Sequence, residues 1–154
     1  MTEITLTLTP PDTPDALFCL QSYYAELAAR FPGGFDVALS ADPDRAALSP
    51  PLGAFWVARA AGEAMGCCGL KGNGSEVGEV KRLWVSPDAR GQGLARRFMA
   101  ACEAEARRLG MTRLRLDTNS ALPEAVALYR NSGWREIPRF NADPYPDVFF
   151  EKDL

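Results

Sequence analysis

Residues 77–109 leave a folding chain few choices. Val77–Val85 reads as a strand rich in β-branched and apolar residues, and Ser86-Pro87 closes it. A loop carrying Gly91 and Gly93 runs directly into a helix predicted from about Gly93 to Leu109. Leu94, Phe98, Cys102, Ala106 and Leu109 fall on one stripe of that helix, while Arg96, Arg97, Glu103, Arg107 and Arg108 lie largely off it. Gly110 stops it at a C′ position.

The start of that helix is a ready anion site. Its first backbone N–H groups have no internal partner and carry the positive end of the helix dipole. Gly91 and Gly93 let an anion come close, and Arg90, Arg96 and Arg97 add full charges. No Lys-Ser/Thr follows the glycines, so this is no P-loop. The third glycine of a dinucleotide fingerprint is missing too, and the segment does not open the first βαβ unit. On these residues alone a plainer reading stays open, in which the glycines only turn the chain and the arginines form a solvated face.

Around this segment the pattern predicts a mixed α/β chain. Ile4, Leu6 and Leu8 alternate with threonines as a half-buried strand ended by Pro10-Pro11. Asp12 or Thr13 caps a helix with Pro14 in its first turn and Leu17, Leu20, Tyr24, Leu27 and Ala28 at helical spacing. Phe31-Pro-Gly-Gly-Phe35 stops it, and residues 36–52 hold one short helical turn. Strands follow at Ala54–Ala60 and Ala64–Lys71, joined by Ala61-Gly62-Glu63; Gly72-Asn73-Gly74-Ser75 leads on to the strand at Val77. Beyond the long helix come a strand at Thr112–Thr118, a short helix at Leu122–Asn131, and strands at Trp134–Ile137 and Asp147–Lys152 around the loop Arg139–Pro146. The order is β-α, an antiparallel meander, then β-α-β-α-β-β in one domain spanning 1–154, with no internal repeat.

Composition narrows the chemistry. The 154 residues are 47% hydrophobic and 24% charged, enough to bury a core without disulfide or metal. A net charge of −3 speaks against nucleic acid as partner, and no apolar run or leader points to a membrane. Histidine is absent, which removes the commonest general base and metal ligand and any Ser-His or Cys-His dyad. Cys19, Cys67, Cys68 and Cys102 form no C-x-x-C pair, so no metal site is expected and the thiols fit a reduced cytoplasmic protein. Cys102 among alanines reads as a small buried apolar residue.

Arg90-x-x-Gly93-x-Ala95 resembles the Gln/Arg-x-x-Gly-x-Gly/Ala loop of the GNAT superfamily, the acyl-CoA-dependent N-acetyltransferases. It follows a Val-Ser-Pro strand end and opens a long amphipathic helix. Some thirty-five residues on, Ala127-Leu-Tyr129-x-x-x-Gly133-Trp134 is similar to the family's Leu-Tyr-x-x-x-Gly-Phe. The element order of nearly the whole chain resembles the fold as well: a mostly antiparallel sheet of about six or seven strands, flanked by about four helices, with its central parallel strands splayed. The resemblance implies acetyl-CoA as cosubstrate, its pyrophosphate on the amides of Gly91, Gln92, Gly93, Leu94, Ala95 and Arg96 beside Arg90. It implies a bulge in the strand ending at Val85. Pantetheine would enter the gap like an added strand on the backbone of Leu83, Trp84 and Val85.

The same resemblance implies direct acetyl transfer to an amine in a ternary complex. Without histidine the base is a carboxylate, a tyrosine, a cysteine or solvent. Glu79 stands first, at a strand position where several family members place a basic glutamate; the alternative is an ion pair with Lys81 or Arg82, and Glu76 and Asp117 rank lower. Strand alternation puts Glu79, Lys81, Leu83 and Val85 on one face, with Val80, Arg82 and Trp84 on the other. Tyr129 aligns with the family's acid for the leaving sulfur. Leu122 departs from a common asparagine that holds pantetheine, and Asn119 is the substitute. Covalent relay through Cys67 or Cys68 is disfavoured for want of an activating histidine. Tyr23, Tyr24, Phe31, Phe35, Phe140 and Tyr145 fall on the acceptor side, with Lys81, Arg82 and Arg139 suited to a carboxylate and Glu79, Asp143 and Asp147 to a cation. The acceptor's identity and the pairing of two copies into a homodimer stay open, as does the alternative of a non-catalytic acyl-CoA-binding or protein-interaction domain on the same fold.

Overall fold

Two-sided alternation runs through the central strands of the computed structural model, which describes residues 3–39 and 45–154. In β2 (Ala54–Ala60), Ala54, Trp56 and Ala58 point into one apolar cluster while Phe55 and Val57 point into another. A sheet buried on both faces needs cover on both. Helices α2 (Leu94–Arg108) and α3 (Pro123–Arg130) cover one side, and α1 (Pro14–Arg30) the other. Leu94, Phe98, Cys102 and Ala106 of the predicted stripe are all buried, each larger side chain contributing about 1.5–3 kcal/mol.

The sheet has seven strands in the order β1-β2-β3-β4-β5-β7-β6. Besides β2 they are β1 (Ile4–Leu8), β3 (Glu63–Lys71), β4 (Val77–Val85), β5 (Arg113–Thr118), β6 (Arg135–Ile137) and β7 (Val148–Asp153). Every neighbouring pair is antiparallel except β4 with β5. The β2–β3 turn is made by Ala61 and Gly62 alone, both at positive φ (51° and 82°), the two-residue geometry that matches strand twist.

Three α-helices are present among the described residues, rather than about four, with 3-10 turns at Val37–Leu39, Ala46–Leu48 and Pro87–Ala89. The region expected to hold one short turn thus holds two, while residues 40–44 of it lie outside the described set. Thr13 occupies the N-cap of α1, yet its hydroxyl donates to the Pro10 carbonyl (2.8 Å) instead of capping the helix. All four cysteines are buried, Cys102 completely.

The central feature is a break between β4 and β5. They pair only from Val77–Arg113 to Glu79–Arg115; beyond that point β5 continues against β7 while β4 veers away. The cause lies on the other edge of β4. Cys67 faces Trp84 and Gly69 faces Lys81, so Cys68 stands opposite two residues, Arg82 and Leu83. Arg82 adopts a left-handed φ of 58°, rare for a residue with a side chain, and its carbonyl accepts the Cys67 thiol proton at 3.2 Å. The extra residue reverses the alternation. Val80, Leu83 and Val85 therefore pack towards α2 and α3, whereas Trp84 packs with α1. That corrects the face assignment expected from unbroken pleating: Glu79 and Lys81 share their side with Trp84, not with Leu83 and Val85.

Candidate active site

Where β4 and β5 part, two cavities meet. The larger, about 350 Å³, runs under α1 along Leu83, Trp84 and Val85 to the start of α2 and is mostly apolar. The smaller, about 110 Å³, is roofed by aromatic side chains and reaches Tyr129. Tyr23, Leu27, Leu83, Leu122 and Ala125 line both, so these residues mark the junction.

At its far end the larger cavity meets an uncapped helix terminus. Gly93 is the N-cap of α2 and offers no side-chain bond to it; Arg97 N–H makes the first bond back, to the Gly93 carbonyl (3.1 Å). The amides of Leu94, Ala95 and Arg96 thus precede the hydrogen-bonded ladder. Gly91 and Gly93 sit at φ 78° and 76°, and a Cβ on either would meet no heavy atom within 4 Å. The concavity is open space that a side chain would occupy, which fits a phosphate seated on main-chain donors.

The sequence-predicted donor residues divide accordingly. Leu83, Trp84, Val85, Arg90, Gly91, Gly93, Leu94, Ala95 and Arg96 all line the larger cavity, and Gln92 is exposed beside it. Arg90 differs from the expectation of a guanidinium aimed at phosphate: its Nε donates to the Val85 carbonyl (3.0 Å) and its terminal nitrogen to Glu26 of α1 (2.5 Å). Arg30 of α1 is bonded to Glu124 of α3. Two ion pairs therefore hold α1 across this cavity. The guanidinium of Arg30 keeps the Glu124 carboxyl below the usual carboxylate range. Asn119 also differs. It lines the smaller cavity, its amide donating to the Tyr145 carbonyl (2.6 Å) and accepting from Ala121 N–H (2.8 Å), so both ends are engaged inside the protein.

In the smaller cavity Tyr129 is 95% buried, with its ring against Trp134 and Phe150. Burial, reinforced by Cys68 and Tyr23, pushes its phenol pKa up. Asp117 lines the same space, accepting from Asn141 Nδ2 (2.6 Å) and facing Lys81 Nζ at 3.6 Å. Glu79 stands behind that lysine, 3.5 Å from Lys81 Nζ and 3.7 Å from Lys71 Nζ, and is absent from the lining of both cavities among the described residues. The ion pair weighed against a basic role is therefore formed.

Of the acceptor-side residues, Tyr23, Tyr24, Phe31, Phe35 and Tyr145 gather at this cavity, with Lys81, Arg82 and Asp143. Phe140 instead packs edge-on to Phe149 beneath Arg115. Arg139 bonds the carbonyls of Asp143 (2.9 Å) and Pro146 (2.7 Å), and Asp147 takes Ser120 N–H (2.8 Å). The last two brace the loop. Burial pushes the Cys67 thiol up, and its hydrogen-bonded neighbour Cys102 with burial does the same to Cys68, so neither carries thiolate at neutral pH.

The model of the acetyltransferase (GNAT) family matches residues 20–134. The chain belongs to the GNAT family. It is 33% identical over 137 residues to the uncharacterized N-acetyltransferase YjgM of Escherichia coli (strain K12), covering 84% of this chain and 80% of that protein. It is 38% identical over 116 residues to the IAA acetyltransferase of Azospirillum brasilense, covering 72% and 74%. A GNAT acetyltransferase structure from Staphylococcus aureus Mu50 shares the fold with a TM-score of 0.81 over 99% of both chains at 17% identity. Proteins of this family use acetyl-CoA as acyl donor. Among the described residues no helix is long and apolar enough to cross a membrane, and no cluster of three or more His, Cys, Asp or Glu is placed to hold a metal.

Proposed function

We propose that this GNAT protein transfers an acetyl group to a primary amine by direct attack, with both partners held at once. The observation that carries the reading is the junction: a long apolar cavity ending on free helix amides opens, through five shared residues, into a short one that holds Asp117 and Tyr129. Direct transfer requires that convergence, because the reacting atoms must approach to about 3–3.5 Å.

Acetyl-CoA supplies the acetyl thioester. The amides of Leu94, Ala95 and Arg96, with Gly91 and Gly93, hold its diphosphate, and the main chain of Leu83, Trp84 and Val85 holds the pantetheine arm. Tyr129 directs its hydroxyl at the sulfur. Because its pKa is raised, the phenol stays protonated and stabilises a departing thiolate by hydrogen bonding; complete transfer to a thiol of pKa about 8.5 would be uphill. Asp117 takes the amine proton, directly or through one water. Glu79 acts at one remove, sharing Lys81 with Asp117 and so holding that lysine off the amine. Buried, protonated Cys67 and Cys68 give no support to a covalent relay. The protein works as one cytoplasmic domain.

The test is acetyl-CoA-dependent release of CoA over a panel of amines, beside calorimetric titration of CoA. Turnover with at least one amine supports the reading. Tight CoA binding with no turnover on any acceptor would make the chain a binding domain instead.

A further inference from the structure

The smaller cavity is unusually tight for an acceptor site. A cavity of about 150 Å³ holds one benzene ring, and liquid water occupies about 30 Å³ per molecule. At about 110 Å³ this one takes less than a ring. Typical small-molecule pockets run from about 300 Å³ upward.

Tyr145 makes it so. Its ring lies 4.6 Å from Phe35 and 5.8 Å, stacked, from Phe31. Its hydroxyl accepts the Asp36 N–H at 2.7 Å, which joins the loop between β6 and β7 to the segment after α1. Its own N–H donates to the buried Asp143 carboxylate (3.0 Å), and its carbonyl accepts from Asn119 (2.6 Å). Arg139 ties off the same loop from beneath. The roof is thus anchored at the ring, the hydroxyl and both backbone groups.

We propose that the acceptor is a compact primary amine of about five non-hydrogen atoms or fewer, and that Tyr145 sets that limit. The proposal rests on the acetyl-transfer reading of this site. Asp117 in the cavity lining attracts the ammonium form, and a volume of about 110 Å³ under this roof disfavours a ring or a peptide main chain beside it.

The experiment compares ethylamine, butylamine, hexylamine, phenethylamine and a lysine-containing tripeptide on the wild type, Tyr145→Ala and Tyr145→Phe. In the wild type kcat/KM should fall at least tenfold between butylamine and hexylamine and stay low for the last two. Tyr145→Ala should raise the larger acceptors at least tenfold; Tyr145→Phe, which keeps the ring, should retain the cut-off. Wild-type use of phenethylamine or the tripeptide as good as that of butylamine overturns the size limit, with or without a folded alanine variant. An unchanged cut-off in folded Tyr145→Ala overturns the role of Tyr145. The same series titrated calorimetrically into CoA-saturated protein reads the limit without turnover. A cut-off in binding without transfer overturns the acetyl-transfer reading alone.

Discussion

Replacing Gly93 separates two properties of the proposed phosphate seat. At φ 76° any L-residue costs about 1 kcal/mol, a cost shared by Ala, Gln and Glu. With no heavy atom within 4 Å of an added Cβ, no steric penalty joins it. All three variants should therefore fold, with Tm lower by about 2–4 °C for a chain of this size. Binding should then diverge. A carboxylate about 4 Å from one phosphate charge is repelled by about 1 kcal/mol in water-like surroundings and about 4 kcal/mol at an effective dielectric of 20. Gly93→Glu should accordingly weaken CoA roughly five-fold to nearly a thousand-fold more than Gly93→Gln, which adds equal bulk without charge. Calorimetry at low salt and near 1 M salt is the assay; the gap between Glu and Gln should shrink as salt rises. Folded Gly93→Glu binding CoA as tightly as Gly93→Gln at low salt would refute the reasoning.

Other perturbations test the remaining assignments. Tyr129→Phe should lower kcat about 100-fold while leaving acetyl-CoA affinity within threefold; equal loss in both would reduce the hydroxyl to a binding role. Asp117→Asn should lower kcat/KM most at low pH, where least amine is already neutral, and Glu79→Gln should do so more weakly; a larger effect at Glu79 would reverse the order of the two carboxylates. Glu124 has a folded pKa depressed by Arg30, so its contribution is complete above about pH 4.3 and fades as pH falls through the folded value. Being largely exposed, the pair is worth at most about 1 kcal/mol. Glu124→Gln should thus unfold slightly earlier than wild type in denaturant at pH 7, with the gap narrowing as the pH is lowered below about 4.

Periodicity made most of the architecture legible. The stripe Leu94-Phe98-Cys102-Ala106 fixes which face of α2 meets the sheet, and Pro, Gly and Asn clusters bound the strands to within a residue or two. The helix terminus with its two glycines was equally readable, because its chemistry is local. What escaped was long-range or irregular. Nothing in sequence marks Arg82, rather than a glycine, as the left-handed residue of β4, so faces beyond it were misassigned. Glu26 and Arg90 are 64 positions apart, and their pairing converts an expected phosphate ligand into a tie between helix and loop. Spacing set Glu79 on the correct strand but could not reveal that two lysines enclose it. Tyr145 was visible only as one aromatic among six; its importance comes from what meets it.

The left-handed turn at Arg82 also makes the cleft a fault in the weave of the sheet rather than a gap between mobile parts. Deleting that single position would restore even pleating and let the two central strands pair further, closing the cleft on which the proposed transfer depends. The loops above shape what enters the cleft, but this one dropped stitch is what opens it.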